Sequence, residues 1–329
     1  QGRSFWILDD LNILRQYEPS NEGTLYTPVP TYIANWSSSF NSNESKGTEL
    51  LRGVNPANGM VLYYSLPPLE KETELTMTIL DEQDNLVNTF SSTANKNYVS
   101  YEGNPPKKPV LPKNIGLNRF VWNMRYPLLP GIPKVYIEGS YSGHQAIPGT
   151  YKLILTYDKK SFETKAIIQA NPFYNLSKAQ YQAYHTFMSS AATSYREMTD
   201  MTNRLNEMNK KLKSLLSEMD PEEHNELLNI GHKLSQDLTS WDATMAQRLS
   251  KAYDDVENFE NGFTAHYLNL ISESDSSIPK ITEGSKSRKV ELEQEWAKYK
   301  RDAENLLKGP VQAFNGACQK QNVGVLFVK

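Results

Sequence analysis

The sequence predicts a mixed α+β chain, with an N-terminal antiparallel β-sandwich followed by an antiparallel three-helix bundle. Three observations predict it. Of the 18 prolines, 15 lie within residues 1–172, leaving only Pro221, Pro279 and Pro310 for the remainder. Methionine leans the other way, with six of nine beyond residue 172. Between Tyr184 and Met219 the apolar residues recur at alternating spacings of four and three, which is the seam of a helix. Proline lacks the amide N–H and clashes with the preceding turn of a helix. The first part therefore reads as strands and turns, the second as helices, with a boundary near Asn171-Pro172. The length of 329 residues allows about two or three domains.

Taken in order, Arg3 to Leu8 reads as a strand, and Ser37 to Lys46 as a polar loop. Met60 to Leu66 is a short apolar run closed by Pro67-Pro68. Leu75 to Leu80 and Leu86 to Phe90 flank the polar turn Asp81–Asn85, a hairpin signature. Leu117 to Met124, Tyr151 to Tyr157 and Phe162 to Ile168 complete the strands, with Asp158-Lys159-Lys160 turning the last pair. The division that follows is 1–45 for a terminal strand and linker, 46–172 for the sandwich and 173–329 for the helices.

The first helix runs from Tyr184 to Met219. Asp220-Pro221-Glu222-Glu223 supplies a cap, a first-turn proline and a capping acid for the second. Its stripe reads Leu227, Leu234, Leu238, Trp241, Met245, Leu249, Ala252, Val256 and Phe259, ending or kinking at Asn261-Gly262 before Phe263 to Ile271. After a polar loop, Ser285 to Lys308 is the third helix, and Gly309-Pro310 ends it or bends it into a short terminal one.

Composition excludes several functions. Lys+Arg 35 against Asp+Glu 38 gives a formal net charge of −3, without the clustered basic footprint of a dedicated nucleic-acid binder. No apolar run reaches the roughly 20 residues of a membrane-spanning helix. The single Cys318 rules out an internal disulfide framework and a cysteine zinc cage.

Candidate chemistry is sparse. His224 and His232 stand eight residues apart beside Glu222, Glu223 and Glu226, two helical turns too far to share an ion. No metal site is expected there: acids at a helix start are favoured by the dipole. Asp81, Asp84 and Asn85 lack the central Gly and terminal Glu of a calcium loop and read as a turn. Asp9-Asp10 and Asp254-Asp255 are adjacent acids that diverge, unlike the facing pair of a glycosidase. There is no phosphate loop, nucleophile elbow or Cys/His dyad, and no catalytic residue, metal or cofactor is assigned. Tyr17, Tyr26, Tyr32 and Trp36 concentrate aromatic surface near the start, read chiefly as packing against the sandwich. Asn35-Trp36-Ser37, Asn43-Glu44-Ser45 and Asn175-Leu176-Ser177 match the glycosylation sequon.

Gly2-Arg3-Ser4-Phe5-Trp6-Ile7-Leu8-Asp9-Asp10-Leu11 resembles the end of the β-propeller in exported bacterial proteins of the sortilin-like, BNR-repeat "glycosyl hydrolase" family. The resemblance continues through Asn55-Pro56-Ala57-Asn58-Gly59-Met60-Val61-Leu62-Tyr63-Tyr64, Gly116-Leu117-Asn118-Arg119-Phe120-Val121-Trp122-Asn123-Met124-Arg125-Tyr126-Pro127 and Pro148-Gly149-Thr150-Tyr151. The last two stretches also look like an Ig-like sandwich, and Phe259-Glu260-Asn261-Gly262-Phe263-Thr264 is similar to the family's C-terminal helical bundle. The resemblance implies export, to the periplasm, the outer-membrane surface or the exterior. It also implies a propeller upstream of Gln1 as partner, with the chain a fragment or processed product. Arg3, Phe5, Trp6 and Ile7 would then dock that propeller. The family's Asp-box motif is absent from this sequence, so no family catalytic residue carries over. The expected function is a non-catalytic accessory region that supports the propeller or docks a protein or glycan. The alternatives are part of a glycoside hydrolase with catalytic residues in the propeller, and a subunit of a cell-surface assembly.

Overall fold

The computed structural model describes residues 10–18, 22–34, 56–275, 278–321 and 323–324. Arg3, Phe5, Trp6 and Ile7 lie outside the described residues. The chain is mixed α+β, as expected, with a short helix at Leu11–Gln16 (α1), strands up to Gln169 and the other helices from Lys178 onward.

Among the described residues, eight strands form two sheets. Thr24–Leu25 (β1), Met60–Leu66 (β3) and Gly116–Trp122 (β6) make one, in the order β1-β3-β6. Thr31–Tyr32 (β2), Thr76–Leu80 (β4), Leu86–Ser91 (β5), Gly149–Tyr157 (β7) and Lys160–Gln169 (β8) make the other, in the order β2-β8-β7-β4-β5. Alternation decides which face is buried: Met60, Leu62, Tyr64 and Leu66 on β3 and Tyr151, Leu153, Leu155 and Tyr157 on β7 all point inward. Residues from both sheets meet in one apolar core. Trp122 is fully enclosed there, edge-on to Tyr151 at 5.6 Å, with its indole N–H donated to the Arg125 carbonyl at 3.2 Å.

The two hairpins turn where turn chemistry places them. The Asp81 carboxylate accepts the Gln83 and Asn85 amides at 2.9 and 2.8 Å, which closes the β4–β5 turn. Asp158 and Lys159 both adopt positive φ, 44° and 65°, so β7 and β8 are joined by the tight two-residue turn whose twist suits a hairpin.

Among the described residues, the sheets depart from a purely antiparallel design where β2 runs parallel to β8, pairing Thr31 with Ile168. Residues 22–34 cross from one sheet to the other, giving β1 to the first and β2 to the second. Tyr26 and Ile33 are buried, while Tyr17 and Tyr32 are exposed and Trp36 lies outside the described residues. Packing against the sheets thus accounts for Tyr26 and not for its two neighbours.

The first long helix, Lys178–Ser217 (α2), has 40 residues and is about 60 Å long. Ser177 and Gln180 cap it reciprocally, the Gln180 amide donating to the Ser177 hydroxyl at 3.3 Å and the Ser177 amide to Gln180 Oε1 at 2.8 Å. Its seam is buried from Tyr184 to Leu212, with Leu215 and Met219 half-buried at the end.

The second helix, Asn225–Met245 (α3), is shorter than its stripe predicts. Residues 246–262 are a loop with one 3-10 turn at Tyr253–Glu257, and Leu249 is exposed. Local and tertiary hydrogen bonds override the periodicity. Arg248 folds back onto Asp242 at 2.6 and 2.8 Å, and the Asp255 carboxylate takes the Lys251 and Ala252 amides. Ser250 also exchanges backbone and hydroxyl bonds with Tyr136.

Phe263–Ser274 (α4) is consequently a separate core helix, followed by Glu283–Leu306 (α5). A π-helical turn at Leu307–Val311 carries Pro310 into Gln312–Lys320 (α6). The expectation of three helices therefore undercounts the elements that share this core, since α4 and α6 supply Leu268, Phe314 and Cys318 to it. Gly231 lets α3 approach closely: a Cβ there would stand 2.4 Å from Leu216 and 2.9 Å from Phe314.

Glu293 on α5 ties three helices together. Its Oε1 accepts the Tyr267 hydroxyl of α4 at 2.5 Å, the Ser194 hydroxyl of α2 at 2.9 Å and the Lys289 ammonium at 3.3 Å. Burial alone would raise its pKa, but the hydroxyl donors and Lys289 outweigh it and hold the carboxyl below its ordinary 4.5. A carboxyl depressed in the folded state stabilises above its unfolded value, and that contribution is lost as pH falls through the folded value. Denaturant titrations should show wild type losing stability below about pH 4.5 more steeply than Glu293→Gln. Equal slopes would exclude this carboxylate as an acid-sensitive tie.

Candidate functional site

A part-buried polar cluster joins the two cores. After β6 the chain leaves the sheets as a strap, residues 127–147, and Leu129, Ile132, Val135, Ile137 and Tyr141 are buried among the helices. Ile147 touches both cores, and Tyr181 in the first turn of α2 reaches into the sheet core. The polar groups gather around this crossing.

One half of the cluster is an ion pair with a phenol. Arg125 pairs with Asp275 at the end of α4, and Asp275 Oδ1 accepts the Tyr184 hydroxyl of α2 at 2.5 Å. Tyr184 in turn accepts the Gln145 amide at 3.0 Å, and Arg125 donates to the Gly143 carbonyl at 2.7 Å. Burial, followed by the Asp275 charge, pushes the Tyr184 phenol far above its ordinary value. It stays a hydroxyl donor at any physiological pH.

The other half is a histidine pair. His144 of the strap and His185 of α2 approach with Nε2 and Nδ1 3.2 Å apart, and Ser189 Oγ lies 3.3 and 3.4 Å from the two nitrogens. Tyr126 stacks on His144 at 4.2 Å with 9° between the planes, and lies 5.2 Å from His185. His144 is buried and its Nδ1 has no partner. Burial, then the charges of His185, Arg196 and Arg125, lowers its pKa to about 3. Burial lowers His185 as well, against an opposing pull from Asp81. Burial thus favours the neutral form of both imidazoles.

Several residues singled out in the sequence have a place among the described residues. His224 Nδ1 contacts Gln321 Oε1 at 2.9 Å at the start of α3. Among the described residues no group of three or more His, Cys, Asp or Glu is positioned to hold a metal. Asp10 accepts the Tyr63 hydroxyl at 2.6 Å, Asp255 caps backbone amides, and Asp84 pairs with Lys152. Cys318 is a buried free thiol. No described helix is long and apolar enough to cross a membrane. Asn175 is exposed at the entry to α2, while Asn35 and Asn43 lie outside the described residues.

The open concavities are elsewhere. A groove of about 500 Å³ between α2 and α5 is floored by Phe187, Val290 and Ala297. A second, of about 480 Å³, lies over β7 and β8 beside Asp81 and Glu82, and a third, of about 440 Å³, between the strap and α4. Sequence inspection did not pair His144 with His185, 41 residues apart on different elements. The one local signal was His185 and Ser189, four residues apart and therefore on one helix face.

No family model matches the chain, and no curated protein or solved structure matches it.

Proposed function

We propose that this chain is a non-catalytic docking and support module of an exported protein of the sortilin-like, BNR-repeat kind. In this reading the β part is an Ig-like sandwich. The helical part is an antiparallel bundle built on its three long helices, α2, α3 and α5. The observation that carries it is the junction, where Arg125, Asp275, Tyr184, His144 and His185 tie the sheets to the helices. The strap adds its apolar residues to the helical core. Such a junction makes one stiff body of two cores, with the long α2 projecting from the sheets as an arm. Phe173, 91% exposed at the connection between strands and helices, and Ile115, 73% exposed, offer apolar contacts to a partner. The resemblance of the first residues to a terminal propeller strand supplies the partner, an upstream propeller contacted by Arg3, Phe5, Trp6 and Ile7, and supplies the exported location.

Two measurements test it together. The purified chain is expected to turn over nothing on a panel of polysaccharides, and a chain shortened to begin at Asp10 should be the more soluble of the two, having lost an unpaired apolar edge. Hydrolysis by the chain alone would refute the non-catalytic reading and favour a glycosidase. Unchanged solubility would remove the argument for a propeller-docking strand.

A further inference from the structure

We infer that the contact between His144 of the strap and His185 of α2 is a proton-operated latch, closed near neutral pH and opened by mild acid. Its basis is the number of protons the contact can hold. His144 Nε2 and His185 Nδ1 are 3.2 Å apart, and Ser189 Oγ lies 3.3 and 3.4 Å from them. An imidazole nitrogen carries either a proton or one in-plane lone pair, never both. With both rings neutral, one N–H faces one lone pair, and the Ser189 hydroxyl relays or reinforces that bond.

A further ring proton has no comparable place. It sets two N–H groups against each other, or drives the proton of His144 onto Nδ1, which is buried without a partner. Ser189 Oγ can accept from both nitrogens, but the added charge then stays inside the junction. His185 is half-buried where His144 is buried, so the proton arrives at His185.

The surrounding groups favour release over holding that charge. Arg125 and Arg196 of α2 face His144, Arg125 engaged by Asp275 of α4 and Arg196 by the Pro127 and Leu128 carbonyls. Tyr126 stacks on His144 at 4.2 Å and Tyr184 stands edge-on at 6.2 Å, its hydroxyl committed to Asp275. Asp81 of the β4–β5 turn opposes them by attracting a charged His185, but its carboxylate already takes the Gln83 and Asn85 amides. A histidine kept neutral in the closed junction regains its ordinary 6.5 on release. The closed state is therefore fully favoured above 6.5 and loses ground as pH falls below it. For each histidine released, the opening constant rises by at most about 30-fold between about pH 7.5 and about pH 5. Glu293, held below 4.5, stays charged across that window. The latch stands on this geometry alone and is independent of the docking reading.

Hydrogen exchange of the full-length chain tests it, read by mass spectrometry on peptides covering 127–147 and β7 and corrected for the intrinsic pH dependence of amide exchange. In wild type the strap should open several-fold more readily at about pH 5 than at about pH 7.5, and by more than β7 does. His185→Gln, which removes the titrating ring and keeps a polar group beside Ser189, should open equally at the two pH values. His224→Gln, at the start of α3, should respond as wild type does. Equal corrected protection of the wild-type strap at both pH values, or the same acid response in His185→Gln as in wild type, would overturn the latch. Should His185→Gln fail to fold, the wild-type chain still decides. Its His185 ring signal in carbon-13 NMR must titrate across the range in which the strap loosens, and a strap that loosens while His185 stays neutral would overturn the latch equally.

Discussion

Replacing Arg125 by methionine is expected to destabilise the chain by about 3 kcal/mol, the cost typical of stranding one member of a buried ion pair. Asp275 has a side chain only 11% accessible and would keep its charge with Tyr184 as its sole remaining partner of the two that anchor it. The guanidinium also donates to the Gly143 carbonyl, so the strap loses an anchor in the same step. Urea unfolding followed by circular dichroism would measure the loss. A cost below about 1 kcal/mol would place this pair with ordinary surface bridges. Asp275→Asn with Arg125→Met should recover part of the loss, because the double variant leaves no unpaired buried charge.

The second large effect is expected at Trp122. Truncation to alanine removes the most voluminous side chain of the sheet core and leaves a cavity among Met60, Tyr151 and their neighbours. Large aromatic-to-alanine changes in cores cost about 3–5 kcal/mol. Here the variant also loses the indole bond to the Arg125 carbonyl. The residue that fills the sheet core therefore also holds the backbone of the junction. Trp122→Phe keeps most of the volume and loses the bond, so it should cost clearly less than Trp122→Ala. Equal costs would mean that the bond, not the packing, dominates.

How much of this was legible in the sequence depends on the range of the interaction. The strands at 60–66, 76–80, 86–91 and 149–157 were readable because alternation and turn residues are local, and the Asp81 turn forms through its own side chain. The α2 seam was readable for the same reason over its whole buried length. The end of α3 was not. Leu249, Ala252, Val256 and Phe259 continue the period, yet Asp255 and Tyr136 capture the backbone there through contacts a spacing rule does not see. The parallel pairing of β2 was hidden in a two-residue strand whose partner is more than a hundred residues away. The junction was hidden most completely. Arg125 and Asp275 are 150 residues apart and Tyr184 and Asp275 91 apart, and no local pattern pairs any of them. His185 and Ser189 share a helix face, but His144 comes from a strap that has no regular structure to predict.

The central claim is that the two cores behave as one body because the strap and its polar ties hold them. Native-state hydrogen exchange, read by mass spectrometry on peptides covering 127–147, α2 and β7, tests it most directly. Strap amides with bonds such as Leu129 to Tyr141 and Tyr136 to Ser250 should open with nearly the same free energy as the sheet and the long helix. In Arg125→Met they should open more readily than β7. Strap amides that exchange in wild type through a cheap local opening, while β7 and α2 stay protected, would contradict the account.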